Sequence, residues 1–376
     1  MTHTEIASQR LYHQQISKKA FERVEDVVRW MVAMQAQDYL ASLWAIGLRT
    51  SQADSITEPM IEQAIAERKI VRTWPMRGTL HWVATEDVRW LLRLLTPRVI
   101  RSSATRYREL ALDEGIFLTC RKLFEQALQG GKQLTRSALY YLLEDAGILS
   151  HAQRGYHILS YLAQKEVICF GAREGKQPTF ALLDEYLPQG KDIEGEEALA
   201  ELAQRYIQSR GPVSEYDFAT WAGLTLTDAR KGFESVKNQF DQATVDGQSY
   251  YFSEVDTATV MSSDACFLLP AFDEMLCGYK DRSAILKSEH TKSMILKNGI
   301  LNPSIIIAGK VMGSWKRFLK KDEVLIVDKA FVALNKKQRK TFREAGKQYA
   351  SFLGLNAVFK DLDVKMVTNQ VPVKQK

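Results

Sequence analysis

Residues 70–83 read Ile70-Val71-Arg72-Thr73-Trp74-Pro75-Met76-Arg77-Gly78-Thr79-Leu80-His81-Trp82-Val83. Two short runs rich in β-branched and aromatic residues, Ile70–Trp74 and Thr79–Val83, flank a tight connection, the pattern of a β-hairpin. Pro75, Arg77 and Gly78 lie in that connection, where glycine permits a backbone conformation most residues avoid. Upstream, Phe21–Met34 and Tyr39–Leu48 read as amphipathic helices, and Pro59–Arg68 supplies a third. Three helices closed by a hairpin make a winged helix.

The pattern recurs. A second copy has helices Arg121–Leu128, Arg136–Ala146 and Gly155–Gln164, then strands Val167–Gly171 and Thr179–Leu183 around a turn containing Gly175. A third has helices Glu196–Ser209, Val213–Ala222 and Asp228–Val236, then Gln239–Val245 and Gln248–Ser253 around Asp246-Gly247, a strong hairpin dipeptide. From about Ser263 the pattern changes to β-like runs at Cys266–Leu269, Ser304–Ala308, Val311–Trp315 and Glu323–Asp328, a helix Lys336–Phe352 and a strand near Ala357–Phe359. The expected architecture is therefore α+β: tandem winged-helix units at 1–118, 119–190 and 191–260, followed by a β-rich C-terminal domain at 261–376. Winged helices serve DNA binding and protein contact alike, so the fold alone leaves function open.

Charge favours a polyanion. The net charge is +6, but residues 280–376 carry 21 Lys/Arg against 8 Asp/Glu, leaving −7 on the rest. Such a concentration fits phosphate binding, or a solvated surface. In the helix 336–352, Lys336, Lys340, Arg343 and Lys347 recur at spacings that share one face. Arg89, Arg93, Arg98 and Arg101 form another basic run, suited to phosphates or to a solvated helix. The four cysteines form no C-x-x-C pair, which argues against a zinc site or disulfide framework. The N-terminal sequence has no signal-peptide pattern and no apolar run nears the roughly 18 residues of a spanning helix, so a cytoplasmic protein, away from membranes, is expected.

Several stretches, in order, match one family. They are Met34-Gln35-Ala36-Gln37-Asp38, Met76-Arg77-Gly78-Thr79-Leu80-His81, Gly211-Pro212-Val213 with Asp217-Phe218-Ala219 and Trp221-Ala222-Gly223-Leu224. Further on come Leu268-Leu269-Pro270-Ala271-Phe272-Asp273 with Gly278 and Asp281-Arg282, and Gly309-Lys310-Val311-Met312-Gly313-Ser314-Trp315. Over essentially its whole length the chain resembles the winged-helix DNA glycosylases of the AlkZ and YcaQ kind, which unhook interstrand crosslinks and remove alkylated guanines. The resemblance implies a working loop of Gln, an apolar residue, then Gln or Asp; Gln35 and Gln37 place this chain on the AlkZ-like side. It also implies a concave arrangement of the winged helices and an N-glycosidic bond as target.

The residues suit that chemistry. In an extended chain Gln35 and Gln37 point the same way while Ala36 faces the core. Glutamine orients a water but has no useful basicity near neutral pH. A base already alkylated at guanine N7 leaves neutral and needs no general acid, so two amide carbonyls suffice to hold a water and steady oxocarbenium character. The structural alternative makes the pair satisfy buried backbone groups or cap the next helix. Asp38 reads as the cap of the helix beginning at Tyr39. The adjacent carboxylates Asp273 and Glu274 are an alternative base, although Pro270 and Gly278 suggest a structural turn.

For contact with double-stranded DNA carrying an alkylated guanine, the candidates are Arg77, His81 and Trp82 in the first wing and Lys310, Trp315, Lys316 and Arg317 near the hairpin beginning at Ser304. His81 suits a structural role at least as well, and Trp315 suits the core better than a wedge. No cofactor or metal is required, strand cleavage is not expected, and a monomer is. The competing function is a non-catalytic winged-helix transcriptional regulator reading undamaged DNA.

Overall fold

The computed structural model describes residues 1–52, 55–255, 265–297 and 299–360. An N-terminal helix α1 (His3–His13) precedes the first winged unit, which comprises α2 (Val24–Met31), β1 (Ala33–Gln35), α3 (Tyr39–Gly47), α4 (Glu58–Ala66), β2 (Ile70–Met76) and β3 (Thr79–Ala84). Helices α5 (Val88–Ser102) and α6 (Ala104–Glu109) lead to the second: α7 (Glu114–Leu128), β4 (Leu134–Thr135), α8 (Arg136–Asp145), α9 (Arg154–Gln164), β5 (Ile168–Phe170) and β6 (Thr179–Leu182). After the short α10 (Leu183–Tyr186) comes the third, with α11 (Gly195–Arg210), α12 (Glu215–Ala222), α13 (Leu226–Val236), β7 (Asp241–Val245) and β8 (Gln248–Phe252).

The first two units share one sheet order, β1-β3-β2 and β4-β6-β5. In the third, the corresponding first strand shrinks to one bridge between Val213 and Tyr251. The expected break between this unit and the C-terminal domain, at 260–261, lies outside the described residues.

Two expectations are corrected. The helix expected over Phe21–Met34 ends at Met31, because Val32 takes a left-handed φ of 61° and Ala33–Gln35 turns into a strand. The first hairpin turns on Arg77-Gly78 alone, both at positive φ, the signature of a type I′ connection. Pro75 lies inside β2, where the register jumps between Thr73 and Met76; a residue without an N–H is accommodated at such an irregularity.

The last part contains β9 (Cys266–Leu269), the short helices α14 (Glu274–Cys277) and α15 (Thr291–Met294), β10 (Ser304–Ile307), β11 (Lys310–Leu319), β12 (Glu323–Ala330), α16 (Lys336–Phe352) and β13 (Asn356–Lys360). Its sheet runs β13-β12-β11-β10-β9, antiparallel except for the β12/β13 pair that α16 joins. Helix starts are capped as the sequence dictates: Asp38, Thr135 and Thr225 accept backbone N–H groups, and Ser214 and Asn335 form capping boxes.

A continuous apolar core runs through all these parts. Trp74 packs on Tyr156 and Phe170, joining the first unit to the second. Trp44 packs on Tyr349 and Phe352, joining it to α16. That last contact needs Gly47, whose missing Cβ would stand 2.9 Å from the Phe352 ring. The four cysteines are free thiols. No helix among the described residues is long and apolar enough to cross a membrane.

Candidate active site

Gln35-Ala36-Gln37 forms the passage from β1 to α3. Strand β1 pairs with β3 so that Gln35 lies opposite His81, and the Ala36 N–H donates to the Leu80 carbonyl at 2.8 Å. Ala36 is fully buried, Gln35 is half-buried and Gln37 is exposed. The alternation therefore places the methyl group in the core and leaves an amide on either side of it.

Each amide is oriented by a backbone donor. Gln35 Oε1 accepts from the Ala36 N–H at 3.0 Å, and Gln37 Oε1 accepts from the Leu80 N–H at 3.3 Å. Turning either amide over would set an NH2 group against an N–H, so these donors select the carbonyl-inward orientation. A carbonyl oxygen has a second lone pair. The pair thus satisfies backbone groups and still presents acceptors.

The loop is clamped from two sides. Arg72, on β2, donates from Nε (3.1 Å) and NH2 (2.6 Å) to the Ala36 carbonyl, and its guanidinium lies 5.2 Å from the ring centroids of both Tyr39 and Phe170. Burial pulls its pKa down to about 10. From the opposite side, the Gln35 N–H donates to Glu274 Oε1 at 2.9 Å. Glu274 Oε2 accepts from Arg210 (2.8 and 3.3 Å) and from Trp221 Nε1 (3.1 Å).

Glu274 is therefore engaged as an acceptor and is buried away from solvent. Asp273 is held bidentately by Arg49 at 2.9 Å per oxygen and caps α14 through the Met275 N–H. Neither carboxylate is placed as a base beside Gln37, which corrects that alternative. Asp38 Oδ1 accepts the Ala41 N–H at 3.1 Å, the cap its position predicts.

His81 is fully buried. Its Nδ1 lies 3.0 Å from the Thr79 carbonyl and its Nε2 lies 3.3 Å from Arg77 NH2, which assigns an Nδ1–H donor and an Nε2 acceptor. Burial first, and the neighbouring Arg77 charge second, hold its pKa well below the usual histidine value. The ring is neutral near pH 7 and offers no proton to a departing base.

Two other candidates for DNA contact, Trp82 and Trp315, are also corrected. Trp82 is in the core with Nε1 donating to Ser42 Oγ at 2.8 Å, and Trp315 is in the core with Nε1 donating to the Leu269 carbonyl at 2.8 Å. Indoles so enclosed cannot wedge into a duplex. Arg77 donates to the Trp221 carbonyl at the end of α12, bridging the first wing to the third unit. Lys310 Nζ donates to the Ala284 carbonyl at 2.6 Å, and Arg317 to the Tyr349 hydroxyl. Lys316 remains exposed, beside the exposed Phe318, Leu319, Lys320 and Lys321, an apolar pair among lysines that the sequence reading passed over.

Burial pushes the Tyr349 phenol up, Arg317 opposes this, and the Glu58 and Asp38 carboxylates add to the rise. Arg89 and Arg93, by contrast, are taken up by Asp184, Glu166, Asp192 and Glu194. Lys336, Lys340, Arg343 and Lys347 of α16 are all exposed.

The third helices of the units, which read bases in winged-helix regulators, are poorly suited to that task here. Helix α4 carries Glu58 and Glu62 and is followed by Glu67 as its C-cap, with no basic residue between them. Helix α9 is largely buried. Only α13 exposes cations, Arg230 and Lys231, and Arg230 pairs with Glu215 at 3.1 Å.

Tandem winged helices with a two-amide loop between β1 and α3, and with base-reading surfaces mostly withdrawn, define a winged-helix protein whose third helices are poorly suited to reading bases. Residues 28–352 match the family described as DNA glycosylase AlkZ-like. The chain belongs to the AlkZ-like DNA glycosylase family. It is 26% identical over 336 residues to an interstrand DNA cross-link repair glycosylase of Streptomyces sahachiroi, covering 83% of this chain and 87% of the relative. Its fold matches the solved Streptomyces sahachiroi DNA glycosylase AlkZ with a TM-score of 0.79 at 20% identity, over 96% of this chain and 100% of that one.

The sequence reading missed Arg72, Arg210 and, in its actual role, Glu274. A signal existed: Arg210 immediately precedes the matching segment at Gly211, and Glu274 immediately follows the one ending at Asp273.

Proposed function

We propose that this chain is a monofunctional DNA repair glycosylase that hydrolyses the N-glycosidic bond of N7-alkylated guanine in duplex DNA, including guanines tied into interstrand crosslinks. One observation carries the reading: the loop holds two amides whose carbonyls are oriented by backbone donors, while the nearby Asp38 caps α3, Asp273 and Glu274 are paired with arginines and His81 is held neutral. Such a site holds a water against the sugar carbon and steadies positive charge developing on the sugar. It cannot protonate a leaving base. An N7-alkylated guanine carries its positive charge already and departs neutral, whereas ordinary guanine does not.

In this reading Gln35 and Gln37 are the catalytic residues, and the exposed stretch Lys316, Phe318, Leu319, Lys320 and Lys321 meets the duplex. Lysines at such a tip contact phosphates and the apolar pair presses on a groove. The reading takes the chain as a cytoplasmic monomer, with the four-part division 1–118, 119–190, 191–260 and 261–376, and without metal or organic cofactor.

The test is release of free base from three duplexes carrying N7-methylguanine, a crosslinked N7-alkylguanine, or ordinary guanine. The first two should yield base and an alkali-labile abasic site, and the third none. Tight binding to an undamaged sequence without any base release would instead support a regulator. Lys316→Ala should weaken duplex binding uniformly and reduce the slope of log K against log salt by about 1, the signature of one lost phosphate contact.

A further inference from the structure

Strand β1 is an edge strand: among the described residues only β3 pairs with it. Side chains nevertheless meet three backbone groups at or just before its outer edge. Arg210 donates to the Met31 carbonyl and the Ala33 carbonyl, each at 2.9 Å, and Glu274 accepts the Gln35 N–H at 2.9 Å. Arg210 and Glu274 are joined to each other at 2.8 Å, and both are buried. One donor side chain and one acceptor side chain therefore stand where the carbonyls and N–H groups of a further strand would stand.

We propose that Glu274, held by Arg210, is a positioning residue for base release. The pair acts as a surrogate strand that fixes the backbone of Gln35 and so fixes where its amide points. This inference rests on the reading of Gln35 and Gln37 as the catalytic pair. The two side chains come from α11 and α14, so the third unit and the connection between β9 and β10 of the C-terminal sheet jointly set the loop of the first unit. Trp221 of α12 donates to the same carboxylate, tying it further to the third unit.

The chemistry at Glu274 is specific. Each neighbour of its two oxygens is a donor: the Gln35 N–H, two nitrogens of Arg210 and the Trp221 indole. An acceptor-only carboxylate matches this set, while an amide of the same size must turn N–H groups toward donors. Glu274→Gln is thus an isosteric break of the clamp. Asp273→Asn is its matched control, since Asp273 is equally buried and equally paired, with Arg49, yet bonds to no atom of the loop.

The experiment uses the full chain and an N7-methylguanine duplex. It measures single-turnover base release, duplex Kd, melting temperature and amide hydrogen exchange over residues 31–37. Glu274→Gln should release base at least tenfold more slowly at saturating enzyme, hold duplex Kd within threefold, and exchange the Gln35 amide faster. Asp273→Asn should melt earlier than wild type but keep base release within twofold. Wild-type release in Glu274→Gln, or rate losses in both variants that follow their loss of melting temperature, would overturn the proposal. The catalytic reading fails separately, through full activity of Gln37→Ala. Exchange at Gln35 reports the clamp whatever the base-release result.

Discussion

The first and second winged units have the same strand order and nearly the same helices, and they differ where strand meets helix. In the second unit the cap Thr135 is itself the last residue of β4, and α8 begins at once with Arg136. In the first, Ala36 and Gln37 stand between the end of β1 and the cap Asp38. Three added residues, Ala36, Gln37 and the separate cap Asp38, would alone make a looser connection. Here Arg72 holds the Ala36 carbonyl and Glu274 holds the Gln35 N–H, so the longer connection is the more constrained one. The contrast teaches how a repeated scaffold acquires a site: by lengthening one connection and immobilising it from parts of the chain remote in sequence.

The sharpest way to break this comparison is at the amides. Gln35→Ala should lower single-turnover base release about 100-fold, comparable to loss of one oriented group in other stabilising sites, with duplex affinity unchanged. A small loss would reduce Gln35 to a partner of the Ala36 N–H. Next comes Arg72→Ala, which frees the Ala36 carbonyl. About a tenfold loss of rate is expected if misplacement of the loop is the main effect. A loss of melting temperature without loss of rate would show that the clamp serves only the fold.

The two caps give a smaller, paired test. Asp38→Ala and Thr135→Ala each remove one helix-capping acceptor and should each cost about 1 kcal/mol of stability in denaturant unfolding. Only Asp38→Ala should also slow base release, because only its helix leads out of the loop. Equal kinetic effects would erase the distinction between the units.

The least conspicuous expectation is a flat pH profile. His81 is held neutral, so the base-release rate should not change between pH 6.5 and 8.5. A limb within that range would reveal a titrating group in the site. Stability behaves differently. Burial pulls the His13 pKa down to about 4, so the unfolded chain takes up this proton before the folded one does. Its contribution is complete above the ordinary histidine value and is lost as pH falls from 6.5 toward 4, seen as a declining melting temperature.

Much of the fold was legible because winged helices are written in local signals. The Arg77-Gly78 and Asp246-Gly247 turns and the helical periodicities each lie within a few residues of what they specify. Strand β1 was not legible, because Met31–Gln35 continues a helical apolar pattern while its partners, β3 along one edge and Arg210 and Glu274 at the other, are remote in sequence. The alternation around Ala36 was legible, as was the cap at Asp38. The burial of His81, Trp82 and Trp315 was not, since an aromatic in a strand reads alike whether it faces a core or a groove. The clamps are long-range by nature, which is why residue types alone made Glu274 resemble a possible base.

The central claim is that two oriented amides, without a titrating partner, perform the chemistry. The direct measurement is single-turnover base release from an N7-methylguanine duplex by wild type and Gln37→Ala, with duplex Kd measured in parallel. Abolished release with unchanged Kd in the variant is the predicted result. Equal release by the two proteins would contradict the account.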